Sequence, residues 1–119
     1  MRVIVAGGRN LTPNKDHIKW LIDTLVSLKA TEVICGMAKG ADSLGKQVAL
    51  KMNLKVREFP ANWNKYGKLA GPIRNAEMAK NADACILFPG GKGTANMKML
   101  ATVNELKIVE YKCLKNYKI

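Results

Sequence analysis

Glycines and cations gather in the same four stretches of this chain, and together they suit one kind of chemistry, the holding of an anion. Gly7 and Gly8, Gly36 and Gly40, Gly67 and Gly71, and Gly90, Gly91 and Gly93 make nine of the 10 glycines, with Gly45 alone elsewhere. A glycine turn lets backbone N–H groups approach a phosphate closely, and a helix that follows presents its positive end to it. Residues 7–12, 36–42, 60–75 and 89–94 also carry Arg9, Lys39, Lys65, Lys68, Arg74 and Lys92, against Asp42 as the one acid. Arg9 and Arg74, beside glycine turns, suit bidentate contacts to phosphate or carboxylate. Asp42 suits either of two roles: accepting from ribose hydroxyls or capping its own helix.

Other chemistry is thinly represented. His17, the single histidine, stands beside Asp16 and reads as an exposed helical residue. Cys35, Cys85 and Cys113 are odd in number and lie 50 and 28 residues apart, which fits neither a disulfide framework nor a zinc site. No metal and no cofactor is expected. Cys35 and Cys85 sit inside apolar runs and read as buried thiols, a usage that fits a cytoplasmic protein. The dinucleotide fingerprint G-x-G-x-x-G, the P-loop G-x-x-x-x-G-K-[ST], H-E-x-x-H and G-x-S-x-G are all missing from the sequence.

The elements that must position these residues alternate regularly. Apolar, β-branched runs at residues 2–6, 32–35, 55–59, 84–88 and 107–111 predict five strands. Between them, a helix opens at Pro13 and carries Ile18, Leu21, Ile22, Leu25 and Val26 on one face. Further helices are predicted over 41–52, 71–81 and 94–105, with a longer segment at 60–70. Strands alternating with helices imply parallel pairing through right-handed crossovers. The prediction is a single Rossmann-like three-layer α/β/α domain with a mostly parallel five-stranded sheet, over residues 1–112, followed by a short basic C-terminal tail, 113–119. In such a sheet all four glycine stretches emerge at the carboxyl edge, where these folds bind ligands.

Composition agrees with one folded domain. A chain of 119 residues with 48% hydrophobic content has a core, which rules out a disordered basic tail. No apolar run approaches the ~20 residues of a membrane span. Lys and Arg number 20 against 9 Asp and Glu, for a net charge of +11 and a pI near 9.8, which implies an anionic partner. Of that charge, +5 lies in the four glycine stretches, which favours a phosphorylated small molecule over nucleic acid and leaves no reason to invoke a membrane.

Pro89-Gly90-Gly91-Lys92-Gly93-Thr94, after an apolar run, resembles the phosphate-binding loop of the SLOG superfamily, the Rossmann-like group that includes the DNA-processing protein DprA/Smf and the Lonely Guy nucleotide phosphoribohydrolases. Three other pieces resemble its small-domain branch, the DUF2493 or YspA-type, YpsA-related family of bacteria and phages. They are Val5-Ala6-Gly7-Gly8-Arg9-Asn10, Gly36-Met37-Ala38-Lys39-Gly40-Ala41-Asp42 and Ala70-Gly71-Pro72-Ile73-Arg74-Asn75-Ala76-Glu77-Met78. The resemblance implies a nucleotide-related ligand at the carboxyl edge. Pro89, Gly90, Gly91, Lys92, Gly93 and Thr94 would cradle a phosphate. Gly7, Gly8 and Arg9, with Gly36, Lys39, Gly40 and Asp42, would line the sugar or base. Gly71, Pro72, Arg74 and Asn75 would add contacts, and Trp63 or Tyr66 would stack on a base or pack under the loop. In the phosphoribohydrolases the loop continues P-G-G-x-G-T-x-x-E, and that glutamate position is Met97 here. A thioether moves no proton and stabilises no oxocarbenium ion.

Three functions follow in order. The first is binding, as a sensor or sequestering protein, of a nucleotide or nucleotide-derived phosphorylated small molecule. The second is hydrolysis of an N-glycosidic or phosphoester bond, with Asp42 and Glu77 as carboxylates and Arg74 as electrostatic stabiliser. The third is single-stranded nucleic-acid binding, with Trp63 and Tyr66 as a stacking platform. A homo-oligomer is expected, with Leu100, Val103 and Leu106 as the apolar residues available to it.

Overall fold

Alternation along the first strand divides the core in two. The computed structural model describes residues 1–36 and 40–111; Lys39, Cys113 and the basic tail lie outside the described residues. In β1 (Arg2–Ala6), Val3 and Val5 face one side of the sheet and Ile4 and Ala6 the other, all buried. The chain continues through α1 (Lys15–Ser27), β2 (Glu32–Gly36), α2 (Ala41–Lys51) and β3 (Lys55–Phe59). The short α3 (Trp63–Tyr66) and a 3-10 turn (Gly67–Leu69) lead into α4 (Ala70–Lys80), β4 (Ala84–Leu87), α5 (Lys92–Val103) and β5 (Lys107–Glu110).

The sheet runs in the order β3-β2-β1-β4-β5, and all four pairings are parallel. Leu21, Leu25, Leu44 and Val48 from α1 and α2 cover one face with Phe88, while Met78, Met97 and Ala101 from α4 and α5 cover the other. This is the Rossmann-like α/β/α arrangement, and period-2 alternation between two covered faces explains why the central strands read as continuous apolar runs. Gly45, the one glycine away from the loops, brings α2 onto β1: a Cβ there would lie 2.7 Å from Cβ of Val5.

Several boundaries differ from those predicted. The first helix begins at Lys15, not Pro13, because Asn14 and His17 close its end reciprocally. The 60–70 segment holds α3 and the 3-10 turn, and α5 begins two residues early, at Lys92, with Gly91 as its N-cap. Of the three apolar residues assigned to an oligomer, Leu100 and Leu106 pack against the core and Val103 is exposed. No helix among the described residues is long and apolar enough to cross a membrane.

Candidate functional site

The strand order reverses between β1 and β4, the position at which open parallel sheets bind ligands, and the segments leaving the two strands lead to helices on opposite faces. The two segments are tied together. Gly8 N–H donates to the Pro89 carbonyl at 2.9 Å, while the Gly8 carbonyl accepts from the N–H groups of Leu11 (3.2 Å) and Ala41 (3.3 Å). Such close approach needs glycine. A Cβ on Gly7 would stand 2.7 Å from that of Ala41 and 2.8 Å from that of Phe88, and Gly40 has φ +73° with the Gly8 carbonyl against it. At Gly90 the space a Cβ would take is filled by the folded-back side chain of Thr94 and by Gly8 N.

Beyond Gly90 the loop opens out. Gly91 caps α5 without any side-chain hydrogen bond, and its carbonyl accepts from Ala95 N–H at 3.0 Å. Gly91, Lys92 and Gly93 are exposed, and a Cβ on either glycine would meet nothing within 4 Å. The first N–H groups of a helix have no intrahelical partner and carry its positive end, so this loop presents donors to an anion.

On the β2 side, Arg74 of α4 reaches over the sheet edge. Its Nε donates to Asn75 Oδ1 at 2.9 Å, and one terminal nitrogen to the Phe59 carbonyl at 3.5 Å. The guanidinium lies on Gly36, where a Cβ would displace it, and a carboxylate oxygen of Asp42 stands 3.0 Å from that same Cβ position. Arg74 and Asp42 therefore meet above the end of β2. Beneath them, burial pushes the Cys35 thiol up to about 12, with Asp42 and Glu58 adding to the shift; burial alone does the same to Cys85. Both remain thiols at neutral pH and supply neither nucleophile nor metal ligand.

Asn75 is buried and its amide donates to Asn96 Oδ1 (3.0 Å) and the Gly93 carbonyl (3.4 Å), so it ties Arg74 to the first turn of α5. Trp63 is 54% exposed and lies against Gly71. Tyr66 is exposed too, with Lys65 Nζ 5.1 Å from its ring centroid.

A cleft of about 350 Å³ opens on the opposite side of the Gly90–Gly91 turn, lined by Phe88, Gly91, Thr94, Lys98, Glu110 and Tyr111 among others. Lys98 Nζ and a Glu110 carboxylate oxygen pair at 2.8 Å between α5 and β5.

Comparison with known proteins places the chain. The model of the YspA, cpYpsA-related SLOG family (YAcAr) matches residues 1–66, more than half of the sequence. The chain belongs to this family. A relative by sequence is the Gene 61 protein of Mycobacterium phage D29, 38% identical over a 66-residue alignment that covers 50% of this chain and 53% of the phage protein. The chain thus matches about half the length of that relative. By structure, an X-ray structure of the structural-genomics target TM1055 superposes with a TM-score of 0.65 at 21% identity, covering 90% of this chain and 71% of the other, which shows a shared fold. The family match ends at Tyr66, so Arg74 and the loop after β4 stand on their own geometry.

Within this YAcAr fold the residues singled out from sequence separate into groups. Gly7, Gly8, Gly36, Gly40, Asp42, Arg74, Pro89 and Gly90 through Thr94 share the carboxyl edge. Arg9 is exposed on the turn after Gly8, and Gly71 and Pro72 form the first turn of α4 beside Trp63. Lys39 lies outside the described residues. Glu77 is exposed two turns into α4, away from the edge, so Asp42 and Glu77 do not form a pair. Asp42 is buried in the first turn of α2, whose N-cap is Gly40, so it does not occupy the cap position.

The reading of His17 as exposed is corrected. His17 is buried; its Nδ1 accepts from Asn14 N–H at 3.2 Å, and its own N–H donates to Asn14 Oδ1 at 2.9 Å. Its ring packs edge-on against Phe88 and Tyr111, with centroids at 5.6 and 4.8 Å. Lys98, Glu110 and Tyr111 were not singled out from sequence. The signal available was positional: Glu110 ends the strand that follows the glycine loop and its helix.

Proposed function

We propose that this protein binds a nucleotide or a nucleotide-derived phosphorylated small molecule at the carboxyl edge of its sheet. The phosphate sits on the first turn of α5, at Gly91 through Thr94. The observation that carries this reading is the open space at Gly91 and Gly93. Neither has a positive φ, and a Cβ on either would meet nothing within 4 Å, so no packing contact requires glycine there. A ligand that must come within hydrogen-bond distance of the backbone does. Lys92 and Arg74 add charge, and Asp42, Arg9 and Trp63 line the side toward β2. Membership of a SLOG family supports a nucleotide-related ligand.

Binding without turnover is favoured over hydrolysis. Met97 is 1% exposed and belongs to the core, and Glu77 points to solvent far from the loop. Single-stranded nucleic acid is the second reading, favoured by one feature: residues 62–69 are all exposed, include Trp63, Tyr66, Lys65 and Lys68, and contain no acid.

A thermal-shift panel of nucleoside mono-, di- and triphosphates, cyclic dinucleotides and ADP-ribose tests the proposal. A ligand at about 100-fold above its Kd stabilises the fold by about 2.7 kcal/mol, a shift of many degrees for a domain of this size. No shift with any of them overturns it. A steep, sequence-blind salt dependence of oligonucleotide affinity would favour the second reading instead.

A further inference from the structure

The unit β4–α5–β5 has the construction of half a dinucleotide-binding domain. In that construction a glycine turn follows a strand, the phosphate meets the next helix, and an acid at the end of the adjacent parallel strand accepts from a ribose hydroxyl. The whole unit runs about 30 residues, with the acid about 20 residues past the glycines. Here the unit spans Ala84 to Glu110, 27 residues, and Glu110 comes 20 residues after Gly90. β5 pairs parallel to β4 with Glu110 opposite Leu87, the last residue of β4 and three residues before Gly90, and Glu110 lines the same cleft as Gly90 and Gly91.

Between turn and acid lies the cleft of about 350 Å³, within the range of about 300–1,000 Å³ for small-molecule sites. Thr94 and Gly91 bound it on the phosphate side, Phe88 and Tyr111 also line it, and Lys98 holds one oxygen of Glu110 at 2.8 Å. Lys98 stands one helical turn beyond Thr94 on the same face of α5, so the pair fixes the carboxylate at the cleft mouth. On the β2 side Asp42 is buried and sits with Arg74 over Gly36.

We infer that the ribose of the ligand lies on the β5 side of the phosphate, in this cleft, with Glu110 accepting from its hydroxyls. The inference rests on the proposed phosphate position and adds to it the sugar site and a selectivity, ribonucleotide over its deoxy counterpart. Arg74 and Trp63 then serve whatever group extends from the phosphate toward β2.

The test is titration calorimetry with the four ribonucleoside 5′-diphosphates and their 2′-deoxy and 2′,3′-dideoxy forms, on the full chain and on Glu110→Ala. Glu110 is exposed at the edge, and an unchanged melting temperature of the variant confirms that the fold is intact. For at least one base the wild-type chain should prefer the ribo form over the dideoxy form by about 10- to 100-fold, the worth of a hydrogen bond to a charged group. Glu110→Ala should erase that preference while leaving dideoxy binding in place. Equal wild-type affinity for ribo and dideoxy forms, or a preference that survives in Glu110→Ala, overturns the sugar assignment and leaves the phosphate site standing. Failure of all twelve compounds to bind the wild-type chain overturns the sugar site, and the phosphate site falls with it when the whole thermal-shift panel is silent too.

Discussion

The segments after β1 and after β4 leave the same edge on neighbouring strands, and both lead from a glycine pair into a helix, yet they end in opposite states. After β1 the chain takes eight residues to reach α1 and closes that helix itself. Asn14 and His17 exchange hydrogen bonds across its first turn, and the histidine ring is locked against Phe88 and Tyr111. After β4 only four residues precede α5, which starts with no side-chain cap. The glycines differ in the same sense: Gly7 has neighbours that would collide with a methyl, whereas Gly91 and Gly93 have none. Two glycine loops on one edge thus do two jobs. The first is a floor, packed to the limit; the second is a donor surface facing open space. A helix start satisfied by its own chain has nothing to offer an anion, and one left uncapped does.

The largest expected effect lies on the floor. Gly7→Ala forces a methyl between Ala41 and Phe88, where Cβ separations of 2.7 and 2.8 Å leave no room. Overpacking of this kind costs about 1–3 kcal/mol, and chemical denaturation followed by circular dichroism should show it as a lower midpoint at unchanged slope. A midpoint equal to wild type would mean that α2 and β4 yield freely, and the contrast between the loops would lose its first half.

The closed helix start comes next. Asn14→Ala removes the acceptor for His17 N–H, a loss of about 1 kcal/mol for a cap of this type. Its thermal midpoint should fall while affinity for any ligand of the α5 loop stays the same. A changed affinity would place α1 in the site and erase the distinction drawn between the two ends.

How far this contrast was legible in the amino-acid order follows from the range of the interactions behind it. Strand and helix order rests on local periodicity, and the glycine turns on local breaks in it, so the α/β/α fold and its carboxyl edge follow from residues within a few positions of one another. The start of α1 escaped because Pro13 is a good opening residue by itself, and only the pairing of Asn14 with His17 moves the boundary to Lys15. The burial of His17 depends on Phe88 and Tyr111, the residues just after strands β4 and β5, which no helical pattern in residues 15–27 encodes. Glu110 meets Lys98 only once β5 has paired with β4 in register. Contact with Gly8 of the β1 loop, together with Thr94 four residues on, likewise separates Gly90 from Gly91 and Gly93, which look equivalent in the motif.

That last distinction yields the smallest effect on the fold. Gly93 is the second residue of α5, has helical neighbours on its C-terminal side and has open space around its α-carbon. Alanine is the better helix former by up to about 1 kcal/mol, less near a helix end, so Gly93→Ala should leave the melting temperature unchanged or raise it slightly. The side chain of Asn75 would keep its bond, since it goes to the Gly93 carbonyl and not to the α-carbon. If the residue is glycine so that an anion can reach the N–H groups of this turn, the methyl that strengthens the helix also stands where the anion must pass. Nucleotide affinity should then fall by tenfold or more, on the order of the loss of one charge-assisted hydrogen bond. A stabilised variant that binds as well as wild type would leave the open glycines without a purpose and would move the phosphate off α5.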